Sequence, residues 1–411
     1  MSAIAEQTFV DTAFDIGAQL CRDAIWSNGE CNWLGDSMDP ILGEWRVVHR
    51  SFGPDFYMGT SGIAMFLARL SRYVDEPLLR STARGAVKQA LAHRDDLPAE
   101  GRHSLYSGWM GIALALLDVA EAFDDRALAG EAWRMIEAQR GCKMPEMSLD
   151  IIGGAAGTIT GFLALYRRTN HAWLVDESAR LARVLLDTAN KEGDTWSWTT
   201  MPSMTGGPQR DLTGYSHGTA GIALAFLELH AITHDPALRE GADRAIAYER
   251  KWFDAQQQNW PDFRSVTPER VTCGMAWCHG APGVGLSRLR AYQLTGDESY
   301  RGEAEAAIRT TFAPLNTPTM QESFALCHGL AGNAELFLVA SDVLRDPRYR
   351  SVAEMIARRG IDAFSQPHNP WPCGVNGGGE TPGMMMGLAG IGWFYLRLHD
   401  TARVPSVLLI T

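Results

Sequence analysis

Two short stretches of the sequence share one pattern, Cys-His-Gly-x-x-Gly, which begins at Cys278 and again at Cys327. Cysteine thiolates and imidazoles are common ligands of Zn²⁺, and a catalytic zinc usually has three protein ligands and one open position. Cys278, Cys327 and His328 would form such a set. One buried cysteine beside a histidine is an ordinary core feature, but two such pairs in the same register favour a metal site.

The glycine part of this pattern occurs seven times along the chain, and each copy continues into an apolar stretch. Successive copies begin 46 to 64 residues apart. A motif present in every unit is best explained by architecture, because glycine lets the backbone turn sharply where a loop meets a helix. The first glycines of the seven copies are Gly59, Gly108, Gly154, Gly218, Gly280, Gly329 and Gly387.

Two kinds of helix are predicted in each unit. The stretches that follow the glycines, such as GIAMFLARL at 62–70, are apolar on nearly every side, which is typical of a helix buried all round. The stretches between them, such as 77–94, have apolar residues on one face only. The sequence therefore predicts an all-α fold, an α/α toroid of seven inner and seven outer helices, in which residues 1–411 form a single domain.

The residues just before the first glycine differ between units. In a closed ring, equivalent positions of neighbouring units lie side by side. We therefore expect the metal-capable side chains of three consecutive units to meet at one rim, at the N-termini of inner helices. Units four, five and six have Ser216-His217, Cys278-His279 and Cys327-His328 at these positions.

The seven cysteines are thinly spread over 411 residues, which is not the pattern of a disulfide framework. Most of them are expected to be buried as small hydrophobic residues. Cys273 is an alternative metal ligand close to Cys278, although it lies outside the repeat register.

Charge and composition argue against several classes of protein. The formal net charge is −11 without any basic block, so neither a nucleic-acid partner nor a membrane partner is expected. With 46% hydrophobic and 21% charged residues, the chain has the composition of a globular protein. Glu6, Asp11 and Asp15 lie where a signal peptide would be basic and then apolar. These features predict a cytoplasmic protein.

The motifs resemble those of the lanthionine synthetase C-like cyclases. WCHGAPGVG at 277–285 and CHGLAGN at 327–333 carry the resemblance, which extends over essentially the whole chain. NWLG at 32–35, SHGTAGIALA at 216–225 and NWPDFR at 259–264 are similar to the cyclase portion of the class II lanthipeptide synthetases. The dehydratase portion of those enzymes has no counterpart in this sequence, so a stand-alone cyclase is expected.

The resemblance implies a zinc-dependent α/α toroid in which the metal ligands are Cys278, Cys327 and His328. It also implies a functional histidine at His217 and an aspartate at Asp150.

One position departs from the family pattern. Family members can have an arginine four residues before the first zinc cysteine, where this chain has Gly274. Arg270 is the nearest arginine upstream and is a candidate to take its place.

The implied reaction is a Michael-type addition of a peptide cysteine to a dehydroalanine or dehydrobutyrine of the same precursor peptide, which closes a thioether ring. Zn²⁺ would supply the thiolate at neutral pH. His217 is the natural proton donor to the enolate, Asp150 would hold its ring, and His279 is a second candidate for proton transfer. The expected partners are a dehydrated precursor peptide and a separate dehydratase or kinase/lyase enzyme.

Three other functions remain open at this point. The same site could add glutathione to dehydroamino acids, or the toroid could bind a peptide or partner enzyme without catalysis. Protein prenyl transfer also uses zinc in an α/α barrel, but its ligand set includes an aspartate that this sequence lacks in the same register. The loops at 191–214 and 366–383, rich in Gly, Pro and Trp, are predicted to contact substrate or else to be ordinary surface loops.

Overall fold

The computed structural model describes residues 3–41, 44–99, 101–143, 149–201, 210–264, 272–316, 323–365 and 369–411. These residues contain fourteen α-helices: α1 (Ala3–Asp23), α2 (Thr60–Leu70), α3 (Pro77–His93), α4 (Trp109–Phe123), α5 (Arg126–Glu137), α6 (Ala155–Thr169), α7 (Ala172–Thr188), α8 (Thr219–Thr233), α9 (Pro236–Trp252), α10 (Ala281–Thr295), α11 (Glu298–Phe312), α12 (Leu330–Leu344), α13 (Pro347–Phe364) and α14 (Leu388–His399).

The helices form two concentric rings, so the predicted α/α toroid with seven inner and seven outer helices is confirmed. The even-numbered helices form the inner ring, and each of the first six packs against the odd-numbered helix that follows it. The last inner helix, α14, packs against α1 from the other end of the sequence and also contacts α2. The ring is therefore closed, and α1 is the seventh outer helix.

The glycine motif starts every inner helix. Its first glycine is the N-cap in all seven, for example Gly280 before α10, where φ is +96° and other residues would be strained. Its second glycine lies in the first turn, where the helix passes very close to the preceding loop. At Gly283 an added Cβ would overlap the carbonyl oxygen of Trp277. The motif is thus required by local packing in each unit, as its sevenfold occurrence indicated.

The connections between inner and outer helices also follow from local sequence. Five inner helices end on a residue in the left-handed conformation, which terminates a helix. After four of them an aspartate accepts a hydrogen bond from a backbone N–H of the next helix and so caps its start. These aspartates are Asp125, Asp235, Asp297 and Asp346.

A closed belt of main-chain hydrogen bonds joins the seven units just before the inner helices. In each bond an N–H of one unit donates to a carbonyl oxygen of the next unit around the ring, over 2.8 to 3.3 Å. The donor and acceptor pairs are Tyr57 to Tyr106, Tyr106 to Ile152, Ile151 to Ser216, Ser216 to Cys278, Cys278 to Cys327, Cys327 to Met385, and Met385 to Tyr57. The belt fixes which residues of neighbouring units face one another.

The segment at 404–409 lies inside the ring. Val404 and Leu408 are fully buried, and the carbonyl oxygens of this segment accept hydrogen bonds from inner-ring side chains on different sides. The hydroxyl of Tyr106 donates to Val407 over 2.6 Å, and the indole N–H of Trp277 donates to Leu408 over 3.1 Å. Trp277 precedes Cys278, so this segment contacts a residue next to one of the predicted metal ligands.

The described residues also form short antiparallel β-hairpins, which the sequence pattern did not predict. They pair β1 (Ile25–Ser27) with β2 (Glu30–Asn32), β3 (Leu34–Ile41) with β4 (Glu44–Ser51), β5 (Asn190–Glu192) with β6 (Thr195–Ser197), and β7 (Pro261–Asp262) with β8 (Thr272–Cys273). Among the described helices, none combines the length and the apolar character needed to cross a bilayer.

Candidate metal centre and acid–base site

Cys278, Cys327 and His328 come together at the rim of the ring, as their register predicts. One potential ligand atom from each of them lies within 4.8 Å of the others. Both cysteines are belt residues, and His328 directly precedes the N-cap of α12. Two thiols and one imidazole are a suitable donor set for Zn²⁺ and leave room for a fourth ligand.

The tautomer of His328 is set by its second nitrogen. Nε2 lies 2.6 Å from the carbonyl oxygen of Gly374, an atom that can only accept, so Nε2 carries the proton. Nδ1 is therefore the nitrogen left to face the thiols and a metal. Burial by itself would lower the pKa of His328, but its hydrogen bonds to Cys278 and to Gly374 outweigh burial and raise that pKa.

The two thiols of the site share a hydrogen bond. This bond, together with the hydrogen bond to His328, holds the pKa of Cys278 well below its usual value despite complete burial. The same pairing, together with burial, raises the pKa of Cys327. The site therefore readily holds one thiolate, which suits it to a cation.

The hydroxyl of Tyr57 also reaches this site, and sequence reasoning missed it. It lies 2.8 Å from Sγ of Cys327, although Tyr57 belongs to the first unit and Cys327 to the sixth. Burial and the neighbouring Cys327 raise the pKa of Tyr57 well above 10, so its hydroxyl remains a neutral hydrogen-bond donor. The signal available in the sequence was the position of Tyr57, two residues before the first glycine of its unit, like both cysteines.

His217 and Asp150 form a second pair at the same rim. Nδ1 of His217 lies 2.6 Å from Oδ2 of Asp150, and the other carboxylate oxygen accepts the N–H of Gly153 over 2.7 Å. Because a carboxylate only accepts, Nδ1 of His217 carries a proton and Nε2 is free on a half-buried ring. This is the arrangement in which a histidine can exchange protons through Nε2.

His279 is more deeply buried than His217. Its ring stacks against that of His217 with centroids 5.8 Å apart, and its Nδ1 lies 3.2 Å from the carbonyl oxygen of Thr213. Nε2 of His279 has no hydrogen-bond partner among the described residues. Burial and then the charge of Arg264 lower the pKa of His279 to about 4, so its imidazole is neutral at neutral pH.

The sequence profile described as Lanthionine synthetase C-like protein matches residues 50–409. This chain belongs to that family. Among solved structures, the ring resembles nisin cyclase with a TM-score of 0.69 and 18% sequence identity, over 88% of this chain and 93% of the cyclase. That likeness supports the fold assignment.

This chain matches two curated relatives over only part of the length of each relative. The chain is 26% identical over 152 residues to glutathione S-transferase LANCL1 of Danio rerio, covering 36% of this chain and 35% of the relative. It is 21% identical over 195 residues to the lacticin 481/lactococcin biosynthesis protein LcnDR2 of Lactococcus lactis subsp. lactis, covering 46% of this chain and 21% of the relative.

The arginine whose positive charge acts on the two thiols is Arg264. Its guanidinium forms a two-pronged contact with Asp262 on β7, with Nη2 to Oδ2 at 2.7 Å. The positive charge of Arg264 interacts with both thiols and with His279. Burial would raise the pKa of Asp262, but its hydrogen bonds to Arg264 and the nearby His279 lower it to about 2, so the pair is ionic.

Gly274, where the family can have an arginine, is held close to the backbone of His279. A Cβ at this position would lie 2.7 Å from the carbonyl oxygen of His279, so a larger residue would require the loop to shift. Arg270, the expected substitute, lies outside the described residues. Sequence reasoning missed Arg264 although NWPDFR was one of the motifs that indicated the family.

The two predicted substrate loops make hydrogen bonds to residues of the site. Residues 202–209 and 366–368 of these loops lie outside the described part of the chain. Of the rest, Thr200 donates its hydroxyl to the carbonyl of His217, and the carbonyl of Gly374 accepts from His328. Cys273 lies on β8 and does not belong to the candidate metal-ligand group found among the described residues. Substrate contact by these loops stays a prediction.

Proposed function

We propose that this protein is a zinc-dependent lanthipeptide cyclase, in which residues 1–411 act as one domain. The observation that carries the proposal is the convergence of Cys278, Cys327 and His328 beside the His217–Asp150 pair, in a ring of the lanthionine synthetase C-like family. The reaction is the addition of a peptide cysteine to a dehydroalanine or dehydrobutyrine of the same dehydrated precursor peptide.

Cys278, Cys327 and His328 would hold the metal. Zn²⁺ would supply a lowered pKa for a thiol bound in the remaining position, since a free thiol with a pKa of about 8.5 is mostly protonated at pH 7. With three protein ligands, a zinc ion would keep one position for the substrate thiol. The need for free thiols agrees with the predicted cytoplasmic location.

His217 is proposed to move the proton. When the substrate sulfur attacks the β-carbon, a C–S bond forms, the C=C π bond breaks and an enolate results. The proton lost by the thiol is taken up at Nε2 of His217 and returned to the α-carbon, so the overall reaction consumes no proton. Asp150 holds the ring through Nδ1 and stabilises its positive charge while the proton is on Nε2.

Arg264 is proposed to stabilise the enolate. Its positive charge interacts with both thiols, and its contact with Asp262 holds the guanidinium in place. A fixed positive charge in a partly dry site stabilises a developing negative charge better than water does. His279, with a pKa of about 4, is a poor proton donor at neutral pH and is better suited to positioning His217.

Glutathione addition is the second candidate, because one relative is named a glutathione S-transferase. The two functions differ in the acceptor and in the source of the thiol. The protein would be incubated with a dehydrated precursor peptide, and separately with glutathione and a protein that contains dehydroalanine. Loss of alkylatable thiols without a mass change indicates ring closure, whereas a mass gain of one glutathione indicates transfer.

A third outcome of this experiment would refute both proposed enzyme functions. If zinc-loaded protein binds the dehydrated peptide but neither closes rings nor adds glutathione, the toroid is a binding protein. The dehydrated peptide is expected to come from a separate dehydratase or kinase/lyase enzyme, so it would be prepared with such an enzyme before the assay.

A further inference from the structure

Tyr57 is held in place by its backbone independently of its hydroxyl. Its N–H donates to Tyr106 over 2.9 Å, and its carbonyl oxygen accepts from Met385 over 2.8 Å. Its ring meets that of Tyr106 edge to face, with centroids 6.4 Å apart at 82°. Both neighbours are belt residues, so the closure of the belt places the hydroxyl where it is.

The contacts of this hydroxyl are with sulfur. Cys327 Sγ lies 2.8 Å away and Met386 Sδ lies 3.6 Å away. A thioether is a weak acceptor, and a thiolate is a much stronger one. Once metal binding has ionised Cys327, its sulfur would be the strongest acceptor within reach of this hydroxyl.

We propose that Tyr57 is a positioning residue that acts through Cys327, by donating a hydrogen bond to the thiolate that holds the metal. This inference rests on the proposed metal site. A hydrogen bond to a ligand sulfur draws electron density away from the metal–sulfur bond, so the ligand neutralises less of the metal's charge. The metal then keeps more attraction for an additional thiolate.

The bond also fixes the direction of Sγ. Cys327 lies between Cys278 and Met385 in the belt, and its backbone is bonded to both. The side chain can still rotate about its one free bond, and the tyrosine hydroxyl gives that rotation a preferred position. Loss of the hydroxyl therefore weakens metal binding as well as changing the electronic state of the sulfur.

The test is Tyr57→Phe, which removes the hydroxyl and leaves the ring. The full chain would be loaded with Zn²⁺ for affinity measurements by chelator competition, and with Co²⁺ for absorption spectra. We expect metal affinity to fall about tenfold, the lower end of the range for lost partners of metal ligands. We also expect the thiolate-to-cobalt charge-transfer band to move to longer wavelength, because the sulfur is a stronger electron donor.

The matched control is Tyr106→Phe. It removes a tyrosine hydroxyl from the same belt, but that hydroxyl donates to the carbonyl of Val407 and not to sulfur. The control should leave the charge-transfer band unchanged. An unchanged band and an unchanged affinity in Tyr57→Phe would overturn the proposal.

A second variant covers failure of Tyr57→Phe to fold. A fluorotyrosine in place of Tyr57 keeps the side-chain shape and makes the hydroxyl a better donor, so the band should move to shorter wavelength. Absence of that shift would also overturn the proposal. These spectra need no substrate, so a wild-type protein that binds Co²⁺ through thiolates but closes no rings would refute the cyclase function without refuting the role of Tyr57.

Discussion

The main-chain N–H of Cys278 donates to the carbonyl oxygen of Cys327 over 3.3 Å, although the two residues belong to different helical units. This bond is one member of the closed belt, and it places the two side chains next to each other at the rim. The proposed metal site therefore uses two residues that the fold already holds together. The ring, and not the cation, determines which residues are neighbours.

Replacing Cys327 by alanine should remove the metal and the ring-closing activity together. The site would keep one thiol and one imidazole, too few ligands for a tightly bound zinc. Metal content by mass spectrometry should fall from about one zinc per chain to a small fraction. Cys273→Ala is the control, because Cys273 lies close in sequence but outside the group. Full cyclisation by Cys327→Ala would refute the metal mechanism.

Asp150→Asn should slow ring closure about 100-fold while zinc content stays the same. The amide removes the negative charge that stabilises the protonated ring of His217 over the 2.6 Å bond. Single-turnover rates with metal-loaded protein measure this effect. Asp187→Asn, at an exposed position of α7, should have the wild-type rate. A wild-type rate for Asp150→Asn would show that His217 does not depend on this carboxylate.

Arg264→Gln should lower the rate about 100-fold to 1,000-fold, the usual cost of losing one group that stabilises an anion. The chain supplies a matched control. Arg348 binds Asp346 with the same two-residue spacing and the same forked contact, on an exposed part of the surface. Arg348→Gln should leave the rate unchanged. Equal rates for the two variants would remove Arg264 from the mechanism.

Glu249→Gln should change the pH dependence of stability. Glu249 is buried on α9, and its Oε1 accepts from the N–H groups of Gly214 and Ala220 and from the hydroxyl of Thr219, which fixes the segment that carries His217. Burial raises the pKa of Glu249 from 4.5 to about 7. At a pH between these two values, the native state therefore keeps the proton on Glu249, whereas the unfolded chain has lost it.

The sign of the effect follows from proton binding. Between pH ~4.5 and 7 the native state binds more protons than the unfolded state at this residue, so its contribution to the free energy of unfolding falls as pH rises. The loss is on the order of 3 kcal/mol above pH 7. Glutamine does not titrate, so Glu249→Gln should gain stability relative to wild type between pH 5 and pH 8. Urea unfolding of both proteins at pH 5 and at pH 8 measures the difference in their free energies of unfolding. The same difference at both pH values would contradict the prediction.

The sequence predicted the residues of the site that belong to the repeat. The register of Cys278, Cys327 and His328 relative to the glycines was enough, because a closed ring converts equal register into spatial proximity. His217 and Asp150 came from the family resemblance, and the structure places them in contact. Their chemical roles stay proposals.

The remaining site residues needed three-dimensional information. Arg264 lies in a segment between units, where no periodicity fixes its position, and its guanidinium is held by hydrogen bonds to Asp262. Tyr57 has the same register as the cysteines, but it approaches Cys327 only because α14 closes the ring against α2. The repeat pattern also could not predict the pairing of α1 with α14, since the two helices lie at opposite ends of the sequence.

The position of the segment at 404–409 limits the route that a substrate can take. Its residues lie within the ring, where Val407 and Leu408 accept hydrogen bonds from Tyr106 and Trp277. Val404, Val407 and Leu408 are buried there, so this segment fills part of the interior of the ring. A peptide substrate of the proposed site is therefore expected to enter and leave by the rim on which Cys278 and Cys327 lie.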